Sequence, residues 1–199
     1  MKLQENNYML QKYNIILGSG SPRRKELLGG LGLHFQVLVR EGISESYPPS
    51  LTPSEVAQYI AEEKASAYTD LLDGDTMVIT ADTVVISDRQ ILGKPRDAAQ
   101  ATAMLQLLSG KTHQVTTGVC MMTKDRKTSF HVTTDVTFKT LAPEEIAYYV
   151  DTCKPFDKAG AYGIQEWIGY IGVTRLEGSY FNVMGLPVQR IYQALRDEF

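Results

Sequence analysis

A short apolar run, a glycine-serine loop and a helix follow one another near the start of the chain, and this succession constrains the fold most strongly. The run Asn14–Leu17 predicts a buried strand, and the small residues 18–21 predict a tight turn with accessible backbone N–H groups. Ser21 suits the N-cap and Pro22 the first helical position, so a helix is expected to reach residues 29–30. Strand, loop and helix in this order indicate an α/β architecture.

The rest of the chain continues to alternate between helical and β-type segments. Helices are predicted at 53–72, 97–109, 143–152 and 187–196, and strands at 35–39, 77–87, 91–92, 113–123, 128–138, 168–176 and 180–183. The pairs 77–87 with 91–92, 113–123 with 128–138, and 168–176 with 180–183 are each expected to form hairpins. No repeat or linker is visible, so residues 1–199 are predicted to form one mixed α/β domain with helices flanking the sheet, and residues 1–12 a flexible extension.

Composition excludes several classes of function. The 199 residues are 43% hydrophobic, which suffices for a sizeable core, and the formal net charge of −3 opposes a general nucleic-acid or anionic-membrane surface. Cys120 and Cys153 are too few for a disulfide framework, and no apolar run has the length of a membrane span. We therefore expect a cytoplasmic protein that binds any anion through a local cluster of cations.

Two arginines, Arg23 and Arg24, fall in the first turn of the predicted helix. Cations there are disfavoured by about 0.3–1 kcal/mol each, because the helix N-terminus carries partial positive charge. Either both side chains are solvated and the penalty is screened, or a phosphate bound in the loop reverses it. In the second case, removing Arg24 would leave the stability of the ligand-free protein unchanged or slightly raised.

Asp82 interrupts the apolar β-type run 77–86. Aspartate is depleted in strands, and a carboxylate at such a position has to be hydrogen-bonded, paired, coordinated to metal or exposed at the strand's end. A structural carboxylate that caps a neighbouring loop and a carboxylate used for catalysis or metal binding are both consistent with the pattern.

Two lysines also stand out from their surroundings. Lys64 continues an i, i+4 row through Val56 and Ile60, so it lies on or beside the apolar face of its helix. Lys94 stands on a rigid turn between Gly93 and Pro95. Each side chain either extends to water or faces an anion.

The segment 157–165 is punctuated by glycines and carries Lys158 and Gln165. Glycines permit a ligand to approach the backbone closely, and a glutamine amide offers the donor and acceptor needed to read a base edge, although a structural loop is also possible. Five segments thus offer the cations Arg23, Arg24, Lys64, Lys94 and Lys158, while Glu45 and Asp82 offer carboxylates for a hard divalent metal. Together these groups suit a polyphosphate with Mg²⁺.

With these motifs in order, the chain resembles the Maf family of nucleoside triphosphate pyrophosphatases. The resemblance spans nearly the whole sequence after the first dozen residues. It rests on Ser19 to Arg24, Glu45, Lys64, Ala81 to Thr83, Gly93 to Pro95, Leu108 to Gly110, Asp157 to Gln165, and Gly178 to Pro187.

The resemblance implies hydrolysis between the α- and β-phosphates of a nucleoside triphosphate, with a divalent metal cofactor, Mg²⁺ or Mn²⁺. It also implies a Maf/ITPase-like fold with two lobes around a nucleotide-binding cleft. Asp82 would be the catalytic proton acceptor and, with Glu45, a metal ligand. Base choice would involve Arg23, Thr83 and Gln165, and phosphates would meet Ser19, Ser21, Arg24, Lys64, Lys94 and Lys158.

The ending Gly-Ile-Gln165 resembles the branch of the family that acts on dTTP and UTP. Two features depart from the pattern: Gly18 replaces the usual alanine, which is expected to add only loop flexibility, and Glu166 with Trp167 follows Gln165 where a small residue is common. The second departure places a carboxylate and a large ring next to the expected base site.

The leading hypothesis is a pyrophosphatase of dTTP, UTP and modified pyrimidine nucleotides. The same reaction on a modified purine triphosphate is an alternative, as is a nucleotide-binding regulator of cell division that does not hydrolyse its ligand. The two carboxylates oppose the regulator, since a pure binder gains nothing from carboxylates near phosphates unless they hold metal. The expected partner is the nucleotide substrate, with no nucleic acid and no membrane, and a homodimer is left open.

Overall fold

The computed structural model describes residues 11–199, and the expected flexible extension therefore lies largely outside the described residues. The strands are β1 Asn14–Leu17, β2 Phe35–Val37, β3 Thr76–Ser87, β4 Gln90–Leu92, β5 Thr112–Met122, β6 Lys127–Phe138 and β7 Val173–Glu177. The helices are α1 Pro22–Gly29, α2 Pro53–Ser66, α3 Ala98–Leu108, α4 Pro143–Cys153, α5 Trp167–Gly172, α6 Tyr180–Met184 and α7 Val188–Asp197. Short 3₁₀ turns occupy Thr69–Leu71 and Ala159–Ala161.

The strands form one seven-stranded mixed sheet in the order β2-β1-β3-β5-β6-β7, with β4 paired to β3. Strand β1 runs parallel to β2 and β3, whereas β4 is antiparallel to β3 and β7 to β6. Side-chain pairs Thr112 with Thr137 and Thr116 with Thr133 show that β5 and β6 are also antiparallel. The predicted mixed α/β fold and its first two hairpins are confirmed.

The chain divides into two compact units. The first contains the residues up to Asp82, Thr117–His131 and Gly185–Phe199, and the second contains Thr83–Thr116 and Val132–Met184. The boundaries fall inside β3, β5 and β6, so these strands contribute residues to both units. A single domain and a nucleotide-binding cleft both stay predictions.

In the first unit, the capping signals of α2 are realised as the sequence predicts. Pro53 occupies the first turn, and the carboxylate of Glu55 accepts a hydrogen bond from the backbone N–H of Thr52 at 2.8 Å. The backbone of α2 then packs directly against β5, because a Cβ on Gly118 would lie 2.2 Å from the carbonyl carbon of Ala57. Glycine at 118 is what allows this close approach.

Gly18 is explained by packing and not by flexibility. A Cβ at this position would lie 2.9 Å from Cγ2 of Thr80 and 3.0 Å from Cζ of Tyr68, whose ring is fully buried. The Tyr68 hydroxyl donates to the carbonyl of Leu38 at 2.8 Å and accepts from the backbone N–H of Arg40 at 3.1 Å. The missing methyl group makes room for the tyrosine that holds the loop after β2.

The core of the second unit lies between its part of the sheet and the helices α3, α4 and α5. Leu105 and Leu108 of α3 and Tyr149 of α4 are fully buried there. His113, Phe138 and Tyr162 form edge-to-face ring contacts with centroids 4.9 to 5.4 Å apart.

The prediction of a strand pair at 168–176 and 180–183 is wrong in large part. Helix α5 occupies Trp167–Gly172, only Val173–Glu177 forms a strand, and Tyr180–Met184 is helix α6. Ile168 is buried and Ile171 packs against the same core, whereas Tyr170 is 82% exposed, which is helical spacing. Elsewhere the differences are at element ends: α2 stops at Ser66, and the strand expected at 35–39 stops at Val37.

Candidate functional site

The loop after β1 lies beside the middle of β3 because these strands are parallel neighbours. Leu17 pairs with Ile79, and the N–H of Gly18 donates to the carbonyl of Ile79 at 2.9 Å. Within the loop, the Ser19 hydroxyl accepts from the backbone N–H of Ser21 at 3.3 Å, and the Ser21 hydroxyl accepts from that of Arg24 at 3.4 Å. Both serines therefore shape the loop and the start of α1.

The Arg24 guanidinium is tied to three separate segments of the first unit. It donates to the carbonyls of Ala81 at 2.8 Å and Gly185 at 2.9 Å, and to the Ser19 hydroxyl at 3.3 Å. Burial lowers the pKa of Arg24 below its ordinary value, and the charges of Asp82 and Glu45 oppose this shift. Arg24 is thus not a solvated surface charge, and it brings the loop next to Asp82.

Lys64 joins the two predicted metal ligands. Its Nζ lies 2.7 Å from Oδ1 of Asp82 and 2.7 Å from Oε1 of Glu45. The Lys64 and Asp82 side chains are 16% and 14% exposed, whereas Glu45 is 55% exposed. The lysine therefore does not extend to water, and we call Lys64, Asp82 and Glu45 the Lys64 triad.

Within the triad, the carboxylates of Glu45 and Asp82 are the groups that could hold a divalent cation. No cluster of three or more histidine, cysteine, aspartate or glutamate side chains suited to a metal occurs among residues 11–199. Mg²⁺, however, is usually held by one or two carboxylates together with substrate phosphates and water. Glu45 and Asp82 already share one cation, the Lys64 ammonium, so both carboxylates are directed to a common point.

Gln165 and Lys158 lie in the second unit, on the loop before α5. Lys158 is buried, and its Nζ lies 2.8 Å from Oδ1 of Asp157 and 2.9 Å from Oε1 of Glu166. Oε1 of Gln165 is buried and has no hydrogen-bond partner within residues 11–199. Lys158 is therefore held by two carboxylates, whereas the side-chain oxygen of Gln165 lacks a hydrogen-bond donor among these residues.

The departures at 166 and 167 are also accounted for within this unit. The Glu166 carboxylate accepts a hydrogen bond from the Tyr149 hydroxyl. The Trp167 ring stacks edge to face on Tyr148, with centroids 4.8 Å apart. Both side chains therefore contact α4 and hold the loop against it.

The other two predicted site residues of the second unit are Thr83 and Lys94, which lie outside the loop that carries Lys158 and Gln165. Thr83 follows Asp82 in β3 and is half-buried, and Lys94 is exposed on the turn after β4. The carbonyl of Gly93 accepts from the N–H of Gly160 at 3.1 Å, so the Lys94 turn adjoins the loop that carries Lys158. Gly160 has a φ of +67°, and a Cβ there would lie 2.9 Å from Val85.

Sequence reasoning found the charged groups of the first unit but missed what holds them. The first unit brings together six of the predicted site residues: Ser19, Ser21, Arg24, Glu45, Lys64 and Asp82. The charge of Arg23 is close enough to lower the pKa of Arg24 further. The acceptors on Ala81 and Gly185 are backbone groups that no residue pattern marks. Tyr149, the partner of Glu166, reads in the sequence as an ordinary core residue of an amphipathic helix.

This arrangement can bind and polarise a phosphate chain. Cations oppose the negative charge of a triphosphate, and a nearly buried carboxylate beside them can accept a proton from water within hydrogen-bond reach. Among residues 11–199, no helix has the length and apolar character of a membrane span.

Comparison with known proteins finds relatives that match nearly the whole of this chain. A dTTP/UTP pyrophosphatase of Phocaeicola vulgatus is 56% identical over 187 residues, which are 94% of this chain and 97% of that protein. Proteins of the same name from Bacteroides thetaiotaomicron and Porphyromonas gingivalis (strain ATCC 33277) are 52% and 53% identical over 94% of this chain and 97% and 96% of their own lengths. A solved dITP/XTP pyrophosphatase of Mycobacterium abscessus has a TM-score of 0.44 at 14% identity, covering 92% of this chain and 94% of that chain.

The family assignment rests on the relatives that are 52–56% identical and on a family model that spans nearly the whole chain. The family described as Maf-like protein matches residues 14–198, which includes every candidate site residue discussed above. The chain belongs to the Maf family.

Proposed function

We propose that the protein hydrolyses dTTP and UTP to the nucleoside monophosphate and pyrophosphate. The observation that carries the proposal is the Lys64 triad, in which a nearly buried aspartate faces a cation beside the Ser19–Arg24 loop. The names of relatives that are 52–56% identical over nearly the whole chain support the substrate.

In the proposed reaction, water attacks the α-phosphorus and its proton passes to Asp82. The bond from the α-phosphorus to the oxygen that bridges to the β-phosphate breaks, and pyrophosphate leaves with the electron pair. Lys64 and Arg24 would oppose the phosphate charge, and the N–H groups of the loop at Ser19 would assist them. Glu45 and Asp82 would hold a divalent cation, which when bound neutralises charge on the phosphates.

The location proposed for this protein is the cytoplasm. Cys120 and Cys153 are both free thiols, which is ordinary for a reducing compartment. No nucleic-acid or membrane partner is proposed, because the net charge is −3.

The test is release of pyrophosphate from a panel of ordinary and modified nucleoside triphosphates, with Mg²⁺, with Mn²⁺ and with a chelator. We expect dTTP and UTP to be the best substrates, and the chelator to abolish turnover. Asp82→Asn keeps the size of the side chain and removes the proton acceptor, so kcat should fall by about 10²–10⁴-fold. Asp88→Asn, on the exposed turn after β3, is the matched control and should keep full activity.

Each alternative predicts a different result in this assay. Orthophosphate instead of pyrophosphate would contradict the cleavage site, and a preference for a modified purine would replace the substrate. Tight nucleotide binding without turnover would favour a regulator. Near-normal turnover by folded Asp82→Asn would exclude Asp82 as the proton acceptor.

A further inference from the structure

We infer that Tyr149 and Glu166 are positioning residues that fix Gln165 for selection of the base. This inference rests on the proposed function, and it deepens it by naming what sets the substrate preference. It follows from the hydrogen bonds of the turn that carries Gln165.

Gln165 occupies a central position of a tight turn. The N–H of Glu166 donates to the carbonyl of Gly163 at 3.0 Å, so Ile164 and Gln165 form the two central residues. The N–H of Gly169 donates to the carbonyl of Glu166 at 2.8 Å, and α5 therefore begins directly after the turn.

One hydroxyl group holds both corners of this turn. The Tyr149 oxygen accepts from the N–H of Gly163 at 3.0 Å, and its O–H donates to Oε2 of Glu166. Tyr149 is fully buried on α4, so the anchor belongs to a packed helix of the unit's core. Burial, with a further contribution from Glu166, raises the pKa of Tyr149, and the hydroxyl therefore keeps the proton that it donates.

The other carboxylate oxygen of Glu166 completes the clamp. Oε1 lies 2.9 Å from Nζ of Lys158, so Glu166 links α4 to the far end of the same loop. A Cβ on Gly163 would lie 3.0 Å from Cδ of Glu166 and 3.1 Å from Cε of Lys158. The ion pair therefore packs directly over the glycine at the first corner.

A fixed turn matters because of the chemistry of an amide. A glutamine side chain presents a donor or an acceptor to a ligand according to which way the amide is turned. Uracil and thymine offer an N–H donor and a carbonyl acceptor, whereas cytosine offers a ring acceptor and an amino donor. A freely moving glutamine would match both edges, and only a positioned one discriminates between them. The unsatisfied Oε1 of Gln165 is an acceptor suited to the ring N–H of uracil.

The test compares kcat/KM for UTP and CTP in Tyr149→Phe, Glu166→Ala and Glu166→Gln, with Tyr170→Phe as control because Tyr170 is 82% exposed. We expect Tyr149→Phe and Glu166→Ala to lower the UTP over CTP preference by about tenfold, mainly through gain of CTP turnover. Glu166→Gln keeps an oxygen for Tyr149 and should lose less of the preference. Tyr170→Phe should behave as the wild type.

The ratio of kcat/KM for UTP to kcat/KM for CTP distinguishes a role in positioning Gln165 from a role in protein stability alone. Partial unfolding removes active protein for both substrates equally, so it lowers both rates and leaves their ratio unchanged. An unchanged ratio in folded Tyr149→Phe and Glu166→Ala would overturn the inference while wild-type pyrophosphate release upholds the proposed function. A wild type that releases no pyrophosphate from UTP would overturn the proposed function and the inference with it.

Discussion

At the scale of the residue, the arginine in the first turn of α1 is explained by the backbone carbonyls that it contacts. Arg24 carries its charge from a helix N-terminus to Ala81 and Gly185, which lie 57 and 161 positions away in the sequence. The stabilising free energy of hydrogen bonds from a charged donor exceeds the small electrostatic cost of a cation at a helix N-terminus. These contacts change the expectation that loss of Arg24 would leave the ligand-free protein as stable as before.

We expect Arg24→Ala to lower the free energy of unfolding by about 1–3 kcal/mol, because two carbonyls lose their donor in a partly buried site. Urea unfolding of the ligand-free protein measures this. Lys25→Ala, on the exposed side of the same helix, should change it by less than about 0.5 kcal/mol. Equal stability of Arg24→Ala and wild type would show that the contacts contribute nothing.

The sequence identified these residues by their misfit but could not supply their partners. Asp82 and Lys64 stand out because each interrupts an apolar pattern, and the structure pairs them with each other. The reason for a glycine at position 18 is the ring of Tyr68, which lies fifty positions later in the chain and leaves no mark on the local sequence. Contacts between distant segments and backbone acceptors leave no local signal.

At the scale of the element, prediction succeeds where start and stop signals agree with hydrophobic periodicity. Asp97 caps α3 and Ser21 caps α1 as their residue types indicate. Prediction of secondary structure fails at residues 167–184, where a six-residue helix and a five-residue strand follow each other without a break. Short elements offer too few residues for a period to be recognised.

His113 connects β5 with the loop before α5 and should make the protein sensitive to acid. Its Nε2 lies 2.7 Å from the Tyr162 hydroxyl, and burial lowers its pKa to about 4, with Asp135 opposing the shift. The unfolded state, with an ordinary pKa near 6.5, binds the proton more tightly than the folded state. Stability is therefore fully present above about pH 6.5 and falls as the pH decreases toward 4, by about 3 kcal/mol in total.

Unfolding free energies measured between pH 7.5 and 4 test this, with His113→Phe beside the wild type. The variant should lose most of the slope between pH 6.5 and 5, above the range in which carboxylates of lowered pKa such as Glu62 and Glu145 contribute, whatever its stability at neutral pH. His34→Gln, at an exposed position, should keep the wild-type slope. A wild-type slope in His113→Phe would assign the acid sensitivity to other groups.

At the scale of the whole molecule, the three charges of the Lys64 triad compensate one another. The Lys64 ammonium lies 2.7 Å from both Glu45 and Asp82, so a divalent cation has to compete with it for the same oxygens. A triphosphate alone has to approach two carboxylates. Each ligand by itself therefore meets an opposing charge, whereas the two together offer the cation to the carboxylates and the phosphates to the lysine.

We expect Mg²⁺ and an analogue of dUTP with a methylene group between the α- and β-phosphates to stabilise the protein cooperatively. Either ligand alone should shift Tm little, and the metal–nucleotide pair at about 100 times its Kd should add about 2.7 kcal/mol, or roughly 5–11 °C for a chain of this size. Lys64→Met removes the competitor, so Mg²⁺ alone should then stabilise the variant and the cooperativity should shrink. Additive shifts in the wild type, or an unchanged response to Mg²⁺ in Lys64→Met, would contradict competition between the lysine and the metal for Glu45 and Asp82.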